Sequence, residues 1–499
     1  MKNGIKKTIH LLSISSMLLL GSCEKFLTRE PIDIPVMETY WQTEADGEAF
    51  VNGIYSEFRD ALGGLSHFEW GDFPTKIWQS GEWGQYIFDG KFEYYGTDYN
   101  SNWSRFYRPI SVANNCIDNI ERIPLDSYSA ATEQDALVRQ KKYLGQAHFL
   151  RALCYFYMAR IWGEVPLVTD YVKDVSEIVR DIPMATEEEL LNFCLEDLDK
   201  AIEYLDWKPT FDKRASKANR GSAYALRAHV LMWKNRLNNP TIDPNNYTLA
   251  IAAIDSIENS NEYRLVDTNN YISMFSQGGS EESLFEVVYD KSKNEVLDRN
   301  GFTSRFLGYP YITDFKDRNP IFCFNTQYIE LMNKFPEDWR RNNLFYGWGG
   351  KQEAIYTIKY QSIHYTNVDK SEWETDDKII IFRLADIYLL KAEAYNRLGQ
   401  DENAKIYLQK VRSRVGIERP ITTSGDDLLY EIEDEREREL LLEGHRLYDW
   451  VRTGAYARKG VYTYDRWMSN GHLWPVNYSL IGKSKYIRQT PYWADKMVN

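Results

Sequence analysis

The sequence predicts a mostly α-helical protein whose scaffold is a set of tetratricopeptide-like helical hairpins with long irregular loops between them. The first observation is an apolar-periodic run at 380–399 that ends at Gly399, a residue that closes helices at low cost. The second is another periodic segment at 401–416, which predicts an antiparallel partner helix. The small, aromatic, turn and large positions of one repeat are occupied here by Ala392, Tyr395, Gly399, Ala404, Leu408 and Val411.

Further helices are expected, because one hairpin of a repeat scaffold cannot bury its apolar face alone. Apolar periodicity predicts them at 44–61, 110–122, 131–162, 187–205, 216–237 and 247–259, which gives three or four hairpins in all. The segment 144–163 is apolar nearly all round, so its helix is expected at the centre of the core. Residues 431–454 predict one more continuous helix.

Two regions interrupt this pattern. Residues 62–108 and 263–375 carry many aromatic side chains, but neither a helical nor a strand period orders them. Long loops of this kind usually serve a function or are disordered. We therefore expect two long irregular segments that leave the helical body and return to it.

The N-terminus has the features of an export signal. Lysines 2, 6 and 7 precede an apolar run at 9–20 that is too short for a membrane-spanning helix. The run ends in Leu20-Gly21-Ser22-Cys23, which resembles the lipobox of bacterial lipoproteins, in which the cysteine is acylated and becomes the mature N-terminus. We expect removal of residues 1–22 and a lipid anchor at Cys23; a plain secretory signal with a chance cysteine is the alternative.

Composition narrows the possible functions. A formal net charge of −13 argues against nucleic acid as a partner. Cys116, Cys154, Cys194 and Cys323 have neither metal-ligand spacing nor the density of a disulfide scaffold, so we interpret them as buried apolar residues, with a single disulfide as the alternative. The histidines form no HExxH-like pair, and no phosphate-binding glycine loop follows a strand. The sequence predicts no metal, no cofactor and no catalytic residue.

The carboxylate-rich segment ERERELLLEGHR has a structural interpretation. Glu435 and Asp434 lie three and four residues before Arg438, the spacing at which helical side chains form ion pairs. His445 follows with no second histidine at ligand spacing. We therefore expect solvated or packed ion pairs here and not an active site.

Several segments occur in the order typical of the SusD/RagB family. They are the cysteine box followed by CEKFL, then AHFLRALCYFYMARIWGEVPLVTD, RLADIYLLKAEAYNRLG, AKIYLQKVRSRVGI, ERERELLLEGHRLYDWVRTG, LWPVNYSLI and the final QTPYW. Nearly the whole mature chain thus resembles this family of surface-exposed outer-membrane lipoproteins. The tail differs from the usual pattern, which often has a proline-glycine pair before the last aromatic residue; here it is Thr490-Pro491-Tyr492-Trp493.

The resemblance implies a SusD-like fold in which helical hairpins form the scaffold and irregular loops carry the ligand site. It also implies a location at the outer membrane, facing the cell exterior, and a partner, a TonB-dependent transporter of the SusC type on which the lipoprotein sits as a lid. We expect an N-terminal region at 23–262 and a C-terminal region at 263–499 that together form one compact body.

The expected function is capture of a glycan, an oligo- or polysaccharide, and its delivery to that transporter. A peptide-binding member of the same family is one alternative. A surface-anchored glycoside hydrolase, with two paired carboxylates on a helical scaffold, is the other. Incubation with polysaccharides distinguishes binding from hydrolysis, because only a hydrolase releases reducing ends.

Sugar binding needs flat apolar rings and a few polar groups, which loops on a rigid body can present. Tryptophans flanked by glycine or polar residues are the ones expected to be exposed. This criterion selects Trp78, Trp83 and Trp348 as an aromatic platform. The candidate partners for sugar hydroxyls are Asp72, Gln79, Glu82 and Gln85.

Overall fold

The computed structural model describes residues 40–79, 85–91, 99–171, 182–207, 215–298, 301–316, 322–459, 462–494 and 496. Cys23, Glu82 and Trp83 lie outside these residues. The described residues are mostly α-helical, as the sequence predicts. No helix among them is both long and apolar enough to span a membrane.

The helices are numbered in chain order. They are α1 (Glu44–Leu62), α2 (Ser66–Gly71), α3 (Gln85–Phe88), α4 (Ser104–Asn119), α5 (Glu133–Trp162), α6 (Glu187–Tyr204), α7 (Arg220–Lys234), α8 (Pro244–Ser260), α9 (Ser273–Ser276), α10 (Phe302–Phe306), α11 (Thr326–Asn333), α12 (Trp339–Asn343), α13 (Leu384–Arg397), α14 (Asp401–Arg414), α15 (Gly425–Glu439), α16 (Arg446–Thr453), α17 (Ala455–Arg458), α18 (Tyr464–Met468), α19 (Tyr478–Ile481) and α20 (Pro491–Ala494).

The strands of the described residues form two-stranded antiparallel ladders. They are β1 (Trp78–Gln79) with β5 (Cys323–Phe324), β2 (Val165–Pro166) with β3 (Met184–Ala185), β4 (Ser283–Val287) with β10 (Ile379–Arg383), β6 (Phe345–Tyr346) with β7 (Tyr356–Thr357), and β8 (Ile363–Tyr365) with β9 (Trp373–Thr375). The β4–β10 ladder is buried along its whole length and brackets residues 288–378, so this segment is an excursion from the helical body.

The long helices pack in succession. Helix α1 packs on α4, α4 on α5, α5 on α6, α6 on α7, α7 on α8, α8 on α13, and α13 on α14. Their starts follow from capping, because Thr43, Thr186 and Asn219 each accept a hydrogen bond from the third residue of the helix they precede. Every residue from 149 to 162 in α5 is buried, which confirms the prediction that this helix is central.

The C-terminal hairpin α13–α14 confirms the repeat alignment. Ala392 and Ala404 are completely buried in one apolar cluster, where the absence of larger side chains lets the helices approach closely. The other members of this cluster are Ala385, Leu389, Leu408, Val411, Leu428 and Ile432, with Tyr388, Tyr395 and Tyr407 at its edge. The small and large positions of the tetratricopeptide pattern therefore lie where the sequence predicts them.

The prediction of one helix over 431–454 is wrong. Helix α15 ends at Glu439, and α16 begins at Arg446. Between them Leu442 and Gly444 have φ values of 55° and 75°, in the left-handed region that stops an α-helix. An added Cβ on Gly444 would lie 2.3 Å from the His67 ring, so this turn needs glycine for space as well as for conformation.

The regions before and after this turn are in close contact with the N-terminal half of the chain. Gly444 N–H donates to the Asp72 carboxylate (2.7 Å), and a Cβ on Gly71 would lie 2.1 Å from the Gly444 carbonyl oxygen. Farther along, Trp474 N–H donates to the Ile161 carbonyl (2.7 Å). The division at 262/263 and the expectation that the two regions form one compact body stay predictions.

The described part of region 62–108 is more regular than expected. It contains α2 and the first turn of α4, and the rings of Phe68, Trp70, Trp103 and Phe106 are completely buried. A helix of six residues such as α2 is too short to show a period, which is why the sequence pattern does not reveal it. Among the described cysteines, Cys116, Cys154 and Cys194 are buried thiols, as predicted, whereas Cys323 is only half-buried.

Candidate functional site

The two ring-rich regions of the sequence meet in space. Strand β1 of the first pairs with β5 of the second, with Trp78 opposite Phe324 and their ring centroids 4.5 Å apart. Phe324 packs edge-on against Phe345 (5.3 Å), and Phe345 contacts Trp348 (4.9 Å). A continuous chain of rings therefore connects the buried Trp78 to Trp348, which is only half-buried.

A second group of rings includes Tyr346, which precedes Trp348 by two residues in the chain. Tyr309 and Tyr346 are 42 % and 43 % exposed, and Tyr311 is half-buried. The Tyr346 ring stacks on Tyr356 (5.2 Å, 26°), and Tyr311 meets it edge-on (6.4 Å, 87°). We call Tyr309, Tyr311, Tyr346 and Trp348 the aromatic surface.

Hydrogen bonds and a small core hold these tyrosines in place. Tyr356 Oη donates to the Tyr309 carbonyl (2.6 Å), and Tyr365 Oη donates to the Tyr311 carbonyl (3.1 Å). Below them is a separate apolar cluster, in which the buried side chains are Leu307, Ile312, Phe315, Tyr356 and Trp373. Tyr309, Tyr311 and Tyr346 are therefore carried by an ordered support and not by free loops.

Glycines shape the turn that presents Trp348. Gly347 and Gly349 have φ values of 73° and 84°, which residues with a side chain rarely adopt. A Cβ on Gly347 would also lie 2.8 Å from the Ala354 carbonyl oxygen. On the other side of the indole, the Arg341 guanidinium carbon lies 5.5 Å from the ring centroid, a cation–π arrangement.

The structure corrects two of the predicted ligand contacts. Trp78 and Asp72 are each only 2 % exposed. Trp78 packs among Phe306, Phe322 and Phe324, whose positions along the chain gave no sign that they surround it. The Asp72 carboxylate accepts the Gly444 N–H, and burial raises the pKa of this carboxyl to about 7. Neither side chain can form part of an exposed platform.

The other predicted residues have different outcomes. Trp348 lies in the aromatic surface, and Glu82 and Trp83 fall outside the described residues. Gln79 follows Trp78 in β1, and Gln85 begins α3; for these two the structure describes the backbone alone. Ligand contact by these residues stays a prediction.

Sequence reasoning missed Tyr309 and Tyr346 because it considered tryptophan alone. The signal that selected Trp348 was also present at Tyr346, since the run Tyr346-Gly347-Trp348-Gly349 places both rings beside glycine. Tyr309 lies next to Gly308 and Pro310, which are turn residues. Extending the same criterion to tyrosine would have identified both.

The carboxylates of the segment ERERELLLEGHR are fully occupied by cations. Glu439 is completely buried and is bound by Arg340 (2.6 Å), Arg383 (2.5 Å) and Arg414. Glu435 pairs with Arg438 (2.7 Å), as predicted. Asp434 instead pairs with Lys334 (2.5 Å) and Lys459 (3.1 Å). The ion pairs are packed and not solvated, which is one of the two alternatives expected from the sequence. They explain why these charged side chains are present without assigning them a catalytic role.

A buried cluster of His229, Asp386 and His445 brings three side chains of metal-ligating types within 4.8 Å of one another. Sequence spacing did not show it, because His229 lies on α7, far from His445 along the chain. One Asp386 oxygen is 2.7 Å from His229 Nε2, and the other accepts from Arg436 (2.8 Å). Both Asp386 oxygens are used in hydrogen bonds, and one of them accepts from the Arg436 guanidinium. We therefore interpret the cluster as a polar link between helices.

Comparison with known families identifies the protein. The model of the SusD family matches residues 333–493, and a second model, described as starch-binding associating with outer membrane, matches residues 42–232. The chain belongs to the SusD/RagB family. This assignment confirms the resemblance seen in the sequence motifs.

Relatives of this SusD-family protein match it along most of their length. A SusD-like protein of Formosa agariphila is 28 % identical over 91 % of this chain and 92 % of its own. One from Bacteroides ovatus is 25 % identical, with 90 % and 83 % covered. The crystal structure of a SusD homologue from Bacteroides thetaiotaomicron superposes with a TM-score of 0.78 at 27 % identity, covering 91 % of this chain and 99 % of that one.

Membership of the SusD/RagB family indicates the general function of this protein. SusD-family proteins are carbohydrate-binding proteins associated with the outer membrane, and the match supports both statements for this chain. The family comprises binding proteins and not enzymes.

A buried carboxyl on the excursion 288–378 predicts a pH-dependent stability of this SusD-family protein. Asp377 accepts hydrogen bonds from Thr303 Oγ1 (2.7 Å) and Ser362 N–H (3.1 Å), and burial raises its pKa from 3.8 to about 7. A raised pKa stabilises the folded state fully below 3.8, and this contribution is lost as the pH rises through 7. We expect Asp377→Asn to reduce the fall in unfolding free energy between pH 5 and 8 by ~1–3 kcal/mol.

Urea unfolding at several pH values measures this effect. The control is Asp314→Asn, at an exposed carboxyl on the same excursion, which should leave the pH dependence as it is in the parent. An equal slope in Asp377→Asn and the parent would contradict the assignment.

Proposed function

We propose that this protein is a surface-exposed, lipid-anchored receptor that binds a glycan and delivers it to a SusC-type TonB-dependent transporter without hydrolysing it. The observation that carries the proposal is the aromatic surface. Membership of a carbohydrate-binding family supports the ligand class. The ion-paired carboxylates around Glu439 favour binding over hydrolysis, because they are buried and neutralised by arginines.

The geometry of the aromatic surface suits a sugar ring. The C–H face of a pyranose packs on flat apolar rings, and its hydroxyls need polar groups at the ring edge. Tyr346 uses one face against Tyr356 and is 43 % exposed, so its other face is available for such packing. The phenol group of Tyr309 provides a donor and an acceptor close to these rings in the chain.

Removing one ring tests the location of the site. We expect Tyr346→Ala and Trp348→Ala each to weaken glycan binding by ~1–3 kcal/mol, roughly ten- to a hundredfold, because each deletes a stacking surface. Affinity electrophoresis against starch, a β-glucan and a polyuronate identifies a bound polymer, and calorimetry on its oligomers gives the affinity. The matched control is Tyr464→Ala, which removes a tyrosine of 62 % exposure on α18.

Two results would contradict the proposal. Parent-like affinity in both ring variants would place the glycan elsewhere on the protein. Release of reducing ends from the bound polymer, by a preparation free of other enzymes, would show hydrolysis.

The anchor and the partner rest on the sequence and the family. The Leu-Gly-Ser-Cys box supports acylation of Cys23, and the family description supports the outer membrane. We expect Cys23→Ala to be exported without a lipid and to leave the membrane fraction, which labelled palmitate and fractionation would detect. Unchanged labelling of the variant would refute the anchor. Copurification of the SusC-type protein with the anchored parent tests the partner.

A further inference from the structure

We propose that the glycan bound at the aromatic surface is acidic and that Arg341 binds its carboxylate or sulfate group. This inference rests on the proposed function, because it assigns a chemical class to the ligand of the same site. The observations that support it concern the charged side chains near Trp348, which are Arg341 and Lys351.

Arg341 lies on α12 and is held in a fixed position. Its Nε donates to Asn333 Oδ1 (3.0 Å), and its Nη1 donates to Asn342 Oδ1 (2.9 Å). The guanidinium also lies over the Trp348 ring, with 5.5 Å from its carbon to the ring centroid. Nη2 forms no hydrogen bond within the described part of the chain, and the side chain is only half-buried.

The partners of Arg341 are neutral amides, which is unlike the arginines around it. The preceding residue, Arg340, is completely buried and is bound by Asp338, Glu435 and Glu439 at 2.6–2.8 Å. Arg341 forms no ion pair with any carboxylate that the structure describes, although the chain as a whole has a net charge of −13. Its positive charge is therefore both oriented and uncompensated.

A second cation, Lys351, lies close to Trp348 in the chain. Lys351 is exposed, follows Trp348 by three residues, and likewise has no ion pair among the described side chains. Gln352, the next residue, donates to the Phe324 carbonyl (2.9 Å) and fixes this end of the turn. Trp348 thus has one cation against its ring and a second three residues along the chain, in a protein with a net charge of −13.

This arrangement matches the chemistry of an acidic sugar. The ring of such a sugar packs on Trp348 or Tyr346, and its anionic substituent accepts from the free guanidinium edge of Arg341. A charge-assisted hydrogen bond to a group already held by neutral amides requires little reorganisation on binding. A uronate carboxylate and a sulfate ester both fit this description, because arginine binds planar and tetrahedral oxyanions alike.

The test uses three probes of similar length: an oligogalacturonate, a sulfated galactan oligomer and a neutral galactan oligomer. Calorimetry is performed on the parent, Arg341→Gln, Arg341→Lys and Tyr346→Ala. We expect at least one acidic probe to bind ten times more tightly than the neutral one, with an affinity that falls as salt is added. Arg341→Gln should remove this preference, and Arg341→Lys should keep part of it. The control is Arg419→Gln, an exposed arginine paired with Glu337, which should change nothing.

The outcomes separate the two proposals. The preference for one acidic probe over the other identifies the anion as carboxylate or sulfate. Equal binding of neutral and acidic probes, with loss in Tyr346→Ala but not in Arg341→Gln, would overturn the acidic ligand and leave the glycan site intact. Binding that no ring variant alters would overturn the site itself. Thermal unfolding of each variant shows that it is folded.

Discussion

Replacing Arg383 with methionine is expected to lower the free energy of unfolding by ~3–5 kcal/mol. Arg383 is completely buried at the end of β10, and its guanidinium pairs with Glu282 (2.7 Å), Glu439 (2.5 Å) and Glu443 (2.7 Å). Methionine keeps much of the side-chain volume but removes the charge. The buried carboxylates of Glu282, Glu439 and Glu443 would then have one cation fewer to neutralise them. Burying uncompensated charge costs a large free energy.

Urea unfolding of purified protein measures this loss. The matched control is Arg264→Met, which breaks a pair with Glu281 at an exposed site and should cost no more than about 1 kcal/mol. If the two variants lost the same small amount, the buried network would contribute little to stability. A large loss in Arg383→Met alone would show that the network holds α15 to the β4–β10 ladder.

Replacing Ala392 with tryptophan is expected to cost at least ~1–3 kcal/mol, because no free volume lies between α13 and α14. Ala392 has no exposed surface and lies in the same cluster as Ala404 and Leu408. An indole at this position would force the two helices apart or displace Leu408. The control is Ile406→Trp, which places the same side chain on α14 at a position that is 54 % exposed.

Thermal unfolding of the two variants gives the comparison. The melting temperature should fall in Ala392→Trp and stay close to that of the parent in Ile406→Trp. A parent-like value in Ala392→Trp would contradict the close packing of this hairpin.

The helical scaffold could be predicted from the sequence because its signals are local. The period of apolar residues in α13 and α14, and the small residues Ala392 and Ala404, lie within one short segment. The break between α15 and α16 was missed because part of what determines it is not local. Leu442 is compatible with a helix by type, and the left-handed Gly444 of the same turn packs against Gly71 and His67, which approach from the other end of the chain.

The candidate site was predicted in part. Trp348 was found because its glycine neighbours shape a turn that leaves the ring half-exposed. Trp78 has similar polar neighbours in sequence, but Phe322 and Phe324 cover it, and they are distant along the chain. Exposure of a ring depends on what packs over it, so a criterion based on sequence neighbours fails where a strand such as β5 supplies the cover.

The contacts of Gly444 and Trp474 with the N-terminal helices have a consequence for the order of folding. In a simple solenoid each repeat contacts only its neighbours, and folding spreads from one unit to the next. Here the Gly444 N–H binds Asp72 and the Trp474 N–H binds the end of α5, so segments from opposite ends of the chain close the same core. Loop closure over such separations is slow, because its entropy cost comes before the contacts that stabilise the closed loop can form. Limited proteolysis of chains truncated before residue 440 should find the first hairpins unprotected. The protein would then complete its fold in one late step, after almost the whole polypeptide has been made.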